Sequence, residues 1–246
     1  MKFTVSRDAL LRPLSIVAGA VERRQTMPIL SNIFLKLSGN QLVATCTDLE
    51  VELSAEIAVE GDGDGEITVP ARKFVDICKS LPDGSEIRFW VDEAKAVLQS
   101  GKSRFSLVSL PGADFPSVQR EKKSFSVSVN QKAFADLIHR TAFSMAQQDV
   151  RYYLNGMLWE LTQDSLRAVA TDGHRLAVAE VPLIGGNGGV ESAQVIVPRK
   201  GVMELSRLLS DEDGAEIEIE FGANHISASA NNLSLIHISE PTRHTR

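Results

Sequence analysis

One block of this chain is written twice. LSNIFLKLSGNQLVATCTD (Leu30 to Asp48) lies against LNGMLWELTQDSLRAVATD (Leu154 to Asp172) at a constant shift of 124 residues, without a gap. Leu30/Leu154, Leu37/Leu161, Leu42/Leu166, Ala44/Ala168, Thr47/Thr171 and Asp48/Asp172 are identical pairs. Two further matches keep the same order. FTVSRDALLRPL from Phe3 answers FSVSVNQKAFADL from Phe125, and VPARKFVDICKSL from Val69 answers VPRKGVMELSRLL from Val197, with slips that fall in loops. Three matches in one order at near-equal spacing mark a duplicated unit of about 124 residues, a common domain size. The length of 246 residues, which alone allows one large domain or two modest ones, thereby reads as two.

Both copies share a coarse plan. Alternating apolar positions at Ile33, Leu35 and Leu37, then Leu42, Ala44 and Cys46, predict a hairpin turning at Ser38-Gly39-Asn40. A third strand follows through Val51, Leu53, Ala55 and Ile57. Ahead of the hairpin, Arg7 to Val21 carries Leu10, Leu11, Leu14, Val17 and Ala18 at helical spacing, and Ala71 to Leu81 does likewise through Phe74, Val75, Ile77 and Cys78. Pro70 and Pro198 suit the starts of the second helices. Each unit is expected to be strand, helix, meander, helix, meander: an α+β class with helices on one side of antiparallel sheets.

The composition, 43% apolar and 24% charged, is that of an ordinary globular chain. No apolar run approaches the roughly 20 residues of a membrane-spanning helix, so no membrane partner is expected. Arg7, Asp8 and Arg12 interrupt the stretch a secretory signal needs, and cytoplasmic residence is the expectation. Cys46 and Cys78, without CxxC or Cys/His spacing, read as buried reduced thiols rather than a disulfide or a metal site. Neither a metal nor a cofactor is expected.

A formal charge of -6 argues at first against a polyanionic partner. Its distribution argues otherwise. Segments 7–24, 70–80, 131–151 and 198–209, the helices and their flanks, hold thirteen Lys/Arg against six Asp/Glu, a net +7 that leaves -13 elsewhere. Helices gathered on one side of the sheets would make that side electropositive, suited to phosphate contacts without base reading. Cations on an ordinary solvated helix face are the plainer alternative.

FTVSRDALLRPL, MPILSNIFLKL, TDLEVEL, VPARKFVDICKSLP, GKSRFSLVSLPGADFP, AFSMAQQDVRYYLNGML, VATDGHRLAVAEV and VIVPRKGVMEL closely resemble the bacterial DNA polymerase III beta subunit family, from Met1 to about Asn232. The resemblance implies tandem clamp domains in a three-domain protomer. Its head-to-tail homodimer would form a ring around double-stranded DNA, with helices lining the hole and sheets outside. It implies a processivity factor rather than an enzyme, with DNA polymerase III alpha, clamp-loader subunits and other clamp-binding-motif proteins as partners. By resemblance, Arg24, Arg72, Gln148, Tyr152 and Tyr153 contact DNA; Lys73 and Lys200 join them on charge alone. Tyr152 and Tyr153 could equally pack in an interior. The resemblance also implies a peptide pocket at Leu154, Thr171, Gly173, His174, Arg175 and Leu176, although TDGH is itself a plausible turn.

Catalytic alternatives are thin. Asp172 and His174 could suggest acid/base chemistry, but no nucleophile sits in a recognisable motif, and Asp48 repeats Asp172 without any His. The shared Asp reads as a structural turn residue. GDGDG at 61–65 and GGNGG at 185–189 lack a following helix and are not phosphate loops. After Asn232 the family pattern stops and LSLIHISEPTRHTR, which looks like a translated sequencing adapter, follows. The domain expectation is therefore 1–122, then 123–232 lacking its last strand, with 233–246 foreign and a third domain missing. A two-domain DNA- or peptide-binding scaffold that never forms a ring is the alternative function.

Overall fold

The computed structural model describes residues 1–22, 27–116, 125–186, 193–209, 214–222 and 225–238. The chain divides into two compact units, Met1–Val118 and Gln119–Arg246. The boundary expected at 122/123 lies in the segment 117–124, outside the described residues.

In the first unit, β1 (Lys2–Ser6) leads into α1 (Arg7–Val17), and β2 (Asn32–Ser38), β3 (Gln41–Thr47), β4 (Val51–Ala58), β5 (Glu60–Asp62) and β6 (Gly65–Pro70) follow. α2 (Ala71–Ser80) precedes β7 (Glu86–Asp92), β8 (Lys95–Ser100), β9 (Ser103–Val108) and the short β10 (Leu110–Pro111). β5-β1-β7-β8-β9 is one antiparallel arrangement and β10-β6-β2-β3-β4 another. The predicted alternation is realised: Ile33, Leu35, Leu37, Leu42, Ala44 and Cys46 all point into the core. Leu10, Leu14 and Val17 of α1 meet that core, and Phe74 of α2 packs on Phe89, which stacks on Phe3 at 4.7 Å. The helix predicted over 7–21 ends at Val17 and tightens into a 3₁₀ turn over Ala18–Ala20, the usual way a helix end satisfies its last carbonyls.

The second unit repeats this with β11 (Phe125–Asn130), α3 (Gln131–Ala142), β12 (Gly156–Leu161), β13 (Ser165–Thr171), β14 (Leu176–Pro182), β15 (Ala193–Pro198) and α4 (Arg199–Leu208). β16 (Glu216–Phe221), β17 (His225–Ala230) and β18 (Leu233–Ile238) complete it. The first helix of each copy is capped at the same repeat position: Ser6 Oγ accepts from the Ala9 N–H at 3.2 Å, Asn130 Oδ1 from the Ala133 N–H at 3.0 Å. Pro70 and Pro198 both stand as the last residue before the second helix. Trp159 fills the second core edge-on to Phe134 at 5.3 Å.

Beyond Asn232, where the resemblance stops, residues 233–238 form a strand. β18 pairs with β17 from Ala230↔Leu233 to His225↔Ile238 around Asn231-Asn232, which sit at φ 52° and 62°. Two positive-φ asparagines suit a two-residue hairpin turn, and Leu233 and Leu235 bury on folding back. Strand pairing asks for apolar residues on the core face and a competent turn, and Leu233 and Leu235 supply the first and Asn231-Asn232 the second. Residues 239–246 lie outside the described residues.

GDGDG runs into β6, and of GGNGG only Gly185 and Gly186 are described, both at positive φ. Among the described residues no helix is long and apolar enough to cross a membrane. Cys46 and Cys78 are fully buried free thiols; burial pushes Cys46 up and takes Cys78 to about 12.

Candidate functional site

The helix surfaces are less uniformly basic than the residue count predicts. In the first unit α1 and α2 pack together, and Arg12, Arg72, Lys73 and Lys79 are exposed along them beside Asp8 and Asp76. Arg7 is consumed: its guanidinium meets Asp8 at 2.8 Å, Asp83 at 2.6 Å and the Cys78 carbonyl at 3.2 Å, fastening the start of α1 to the end of α2. In the second unit Arg140 is exposed on α3, Lys200 is half-buried on α4, and Arg207 forks onto the buried Glu204 carboxylate at 2.8 and 3.0 Å. Arg24 lies outside the described residues.

Gln148, Tyr152 and Tyr153 belong to one projecting loop after α3. Gln148 adopts φ 58°, Val150 is 97% exposed, and Tyr152 and Tyr153 are 82% and 50% exposed with their rings edge-to-face at 6.0 Å. The interior-packing alternative for the tyrosines is overturned. An L residue at positive φ costs strain that surrounding bonds must hold. Here Asn155 holds it: Asn155 Oδ1 accepts from the Asp149 N–H and Asn155 Nδ2 donates to the Asp149 carbonyl, each at 2.9 Å. Asp149 then receives Arg151, whose backbone N–H, Nε and Nη donate to its carboxylate at 2.8, 3.0 and 2.9 Å. Arg151, by its side-chain bond first and its backbone N–H second, holds the Asp149 carboxyl down to about 2.

Thr171, Gly173, His174, Arg175 and Leu176 form the turn between β13 and β14. Asp172 accepts the N–H groups of His174 and Arg175 at 3.0 Å each, which lowers its carboxyl, and Thr171 Oγ1 donates to the Arg175 carbonyl at 2.7 Å while accepting from the Gly173 N–H at 3.1 Å. Asp172 is thus the turn residue the repeat suggested, and Asp48 accepts from Glu50 and Val51 in the same way. Gly173 is at φ 88°, and a Cβ there would stand 3.2 Å from an Arg151 Nη. Arg175 returns to Asp172 at 3.0 Å and covers the Phe143 ring at 5.5 Å.

The turn and the projecting loop therefore meet, Arg151 against Gly173. Leu154 is buried beneath them while Leu176 is 64% and Val178 54% exposed on β14. Sequence reasoning missed Asp149, Phe143 and Val178. Repeat alignment holds the signal for one of these, since Val178 stands where the first copy has Ser54.

The two units match, in order, the family models described as the DNA polymerase III beta subunit N-terminal domain (residues 1–119) and central domain (residues 128–237). The chain belongs to that family. The beta sliding clamp of Pseudomonas aeruginosa is 53% identical over 234 residues, covering 93% of this chain and 62% of that protein's length. The beta sliding clamp of Escherichia coli K12 is 48% identical over 229 residues, with 93% of this chain and 62% of that protein covered. Among solved structures, the P. aeruginosa sliding clamp bound to griselimycin superposes with a TM-score of 0.91 at 50% identity, over 97% of this chain and 64% of that one. A clamp-family structure from Eubacterium rectale has a TM-score of 0.91 at only 26% identity, over 100% of this chain and 67% of that one. The chain thus spans about 62% of the length of the sliding clamps it matches.

Proposed function

We propose that this chain supplies the first two domains of a sliding clamp, a non-catalytic subunit that encircles double-stranded DNA in the cytoplasm and tethers the replicative polymerase to it. The observation that carries this reading is family membership across both repeated units, with exposed cations on their helices. The DNA contacts are Arg24, Arg72, Lys73, Gln148, Tyr152, Tyr153 and Lys200. Few, solvated phosphate contacts suit a ring: topology retains the duplex, so the wall need only centre it and let it slide. Net acidity elsewhere discourages DNA from binding outside. Partner peptides of DNA polymerase III alpha and the clamp loader seat apolar anchors against Leu154 and Leu176, with Thr171, Gly173, His174 and Arg175 shaping the edge. Ring closure requires the head-to-tail homodimer of a longer, three-domain protomer.

The test is topological. Full-length protein loaded on circular duplex DNA is expected to dissociate when the circle is cut and to remain when it is nicked. Equal retention on circular and linear DNA would replace the ring with an open scaffold.

A further inference from the structure

Arg151 brings together two stretches, Gln148–Tyr153 and Thr171–Leu176, which also face each other electrostatically through Asp149 and His174. Its guanidinium is held from one side by both carboxylate oxygens of Asp149, a bidentate pairing that fixes orientation as well as distance. Asp149 is in turn pinned through its own backbone to the Asn155 side chain. On the other side, the guanidinium occupies the space a side chain at residue 173 would need. A shift of the turn toward the loop presses on that guanidinium, and a shift of the loop carries Arg151 away from Gly173. At the outer rim of the same cluster, Arg175 bridges Asp172 of the turn to Phe143 at the end of α3.

The first unit has no such device in its sequence. At the shift of 124, Arg151 and Gly173 correspond to Met27 and Leu49, neither of which carries a charge. The same turn therefore folds in the first copy without this contact, and the second copy carries it beside exposed Leu176 and Val178.

We infer that Asp149 is a positioning residue which, by holding Arg151 against Gly173, couples the DNA-facing loop to the peptide-binding turn, so that occupancy of one alters the other. This rests on the assignment of those two faces to DNA and peptide. Because linkage is reciprocal, DNA on the loop must change peptide affinity by the factor with which peptide changes DNA affinity.

The experiment uses the 246-residue chain with labelled Val and Leu methyls, followed by NMR. The probe is a primed-template oligonucleotide with a single-stranded overhang at low ionic strength. In the unsubstituted chain, DNA is expected to shift the Val150 methyls and, in parallel, those of Leu176. In Asp149→Asn the Val150 response should persist while the Leu176 response is lost, and Asp149→Glu, which keeps the charge, should restore part of it. A Leu176 response that survives Asp149→Asn, or is absent from the start while Val150 responds, overturns the coupling. Without DNA, Asp149→Asn is expected to move the Gly173 amide and Leu176 methyls together with the loop; changes confined to residues 148–155 would overturn it independently. Should Val150 ignore DNA altogether, the assignment of the loop to DNA fails, and the ligand-free comparison still decides the clasp.

Discussion

The two Thr-Asp turns are the same object built for different ends. In each, the threonine hydroxyl donates to a carbonyl four residues on and accepts the N–H two residues on: Thr47 with Val51 and Leu49, Thr171 with Arg175 and Gly173. In each, the aspartate caps the next N–H groups. The positive-φ position is Leu49 in the first copy, at 80°, and Gly173 in the second, at 88°. The first copy tolerates a strained leucine because space is open to it, and continues into Glu52 and Ser54, neither exposed. The second needs glycine because Arg151 lies over it, and continues into exposed Leu176 and Val178. Identical backbone bonding with opposite side-chain chemistry separates what the turn needs in order to fold from what it presents.

Exchanging the residues tests this directly. Gly173→Leu combines left-handed strain with loss of the Arg151 contact and is expected to destabilise the second unit by about 2 kcal/mol in urea titration. A change within error would mean that Arg151 yields freely. The hydroxyls differ in burial, so Thr47→Val, which removes a buried bond to the Val51 carbonyl, should cost about 1–2 kcal/mol and the more exposed Thr171→Val about 0.5–1 kcal/mol. Equal costs would remove that distinction. Leu49→Gly relieves strain but adds unfolded-state entropy, leaving a net gain of about 0.5 kcal/mol.

Two further measurements sharpen the contrast. The slope of log affinity for duplex against log salt in the full-length protein should fall by about one phosphate contact for Arg72→Ala and by less for the half-buried Lys200→Ala. The smallest effect is on pH. Asp149 titrates at about 2 in the folded chain against an ordinary 3.8, so its contribution is complete above the higher value and fades as the pH falls toward the lower. The Arg151 amide resonance should report that transition, and Asp149→Asn should abolish it.

The repeat made most of the fold legible. Ile33 to Cys46 alternate in the sequence and in the core alike, because a half-buried hairpin forces that period. The last strand was not legible by resemblance, since β18 folds back through the Asn231-Asn232 turn onto β17. At the candidate site, Tyr152, Tyr153 and the TDGHR turn could be picked out as motifs. Their junction could not, because the residues that bring them together, Asp149 and Arg151, bond locally and meet Gly173 only in space. The charge count carries no positions: its net value already subtracts Asp8, Asp149 and Glu204, but it cannot show that they pair Arg7, Arg151 and Arg207, and it leaves out Asp83, which also pairs Arg7.

Both native thiols are sealed in the first unit's core and kept protonated far above neutral pH. A maleimide dye added to the folded protein should therefore ignore them. A single cysteine introduced at an exposed site such as Ser15 would be the sole point of attachment, so a fluorophore could be placed without prior removal of the protein's own sulfhydryls.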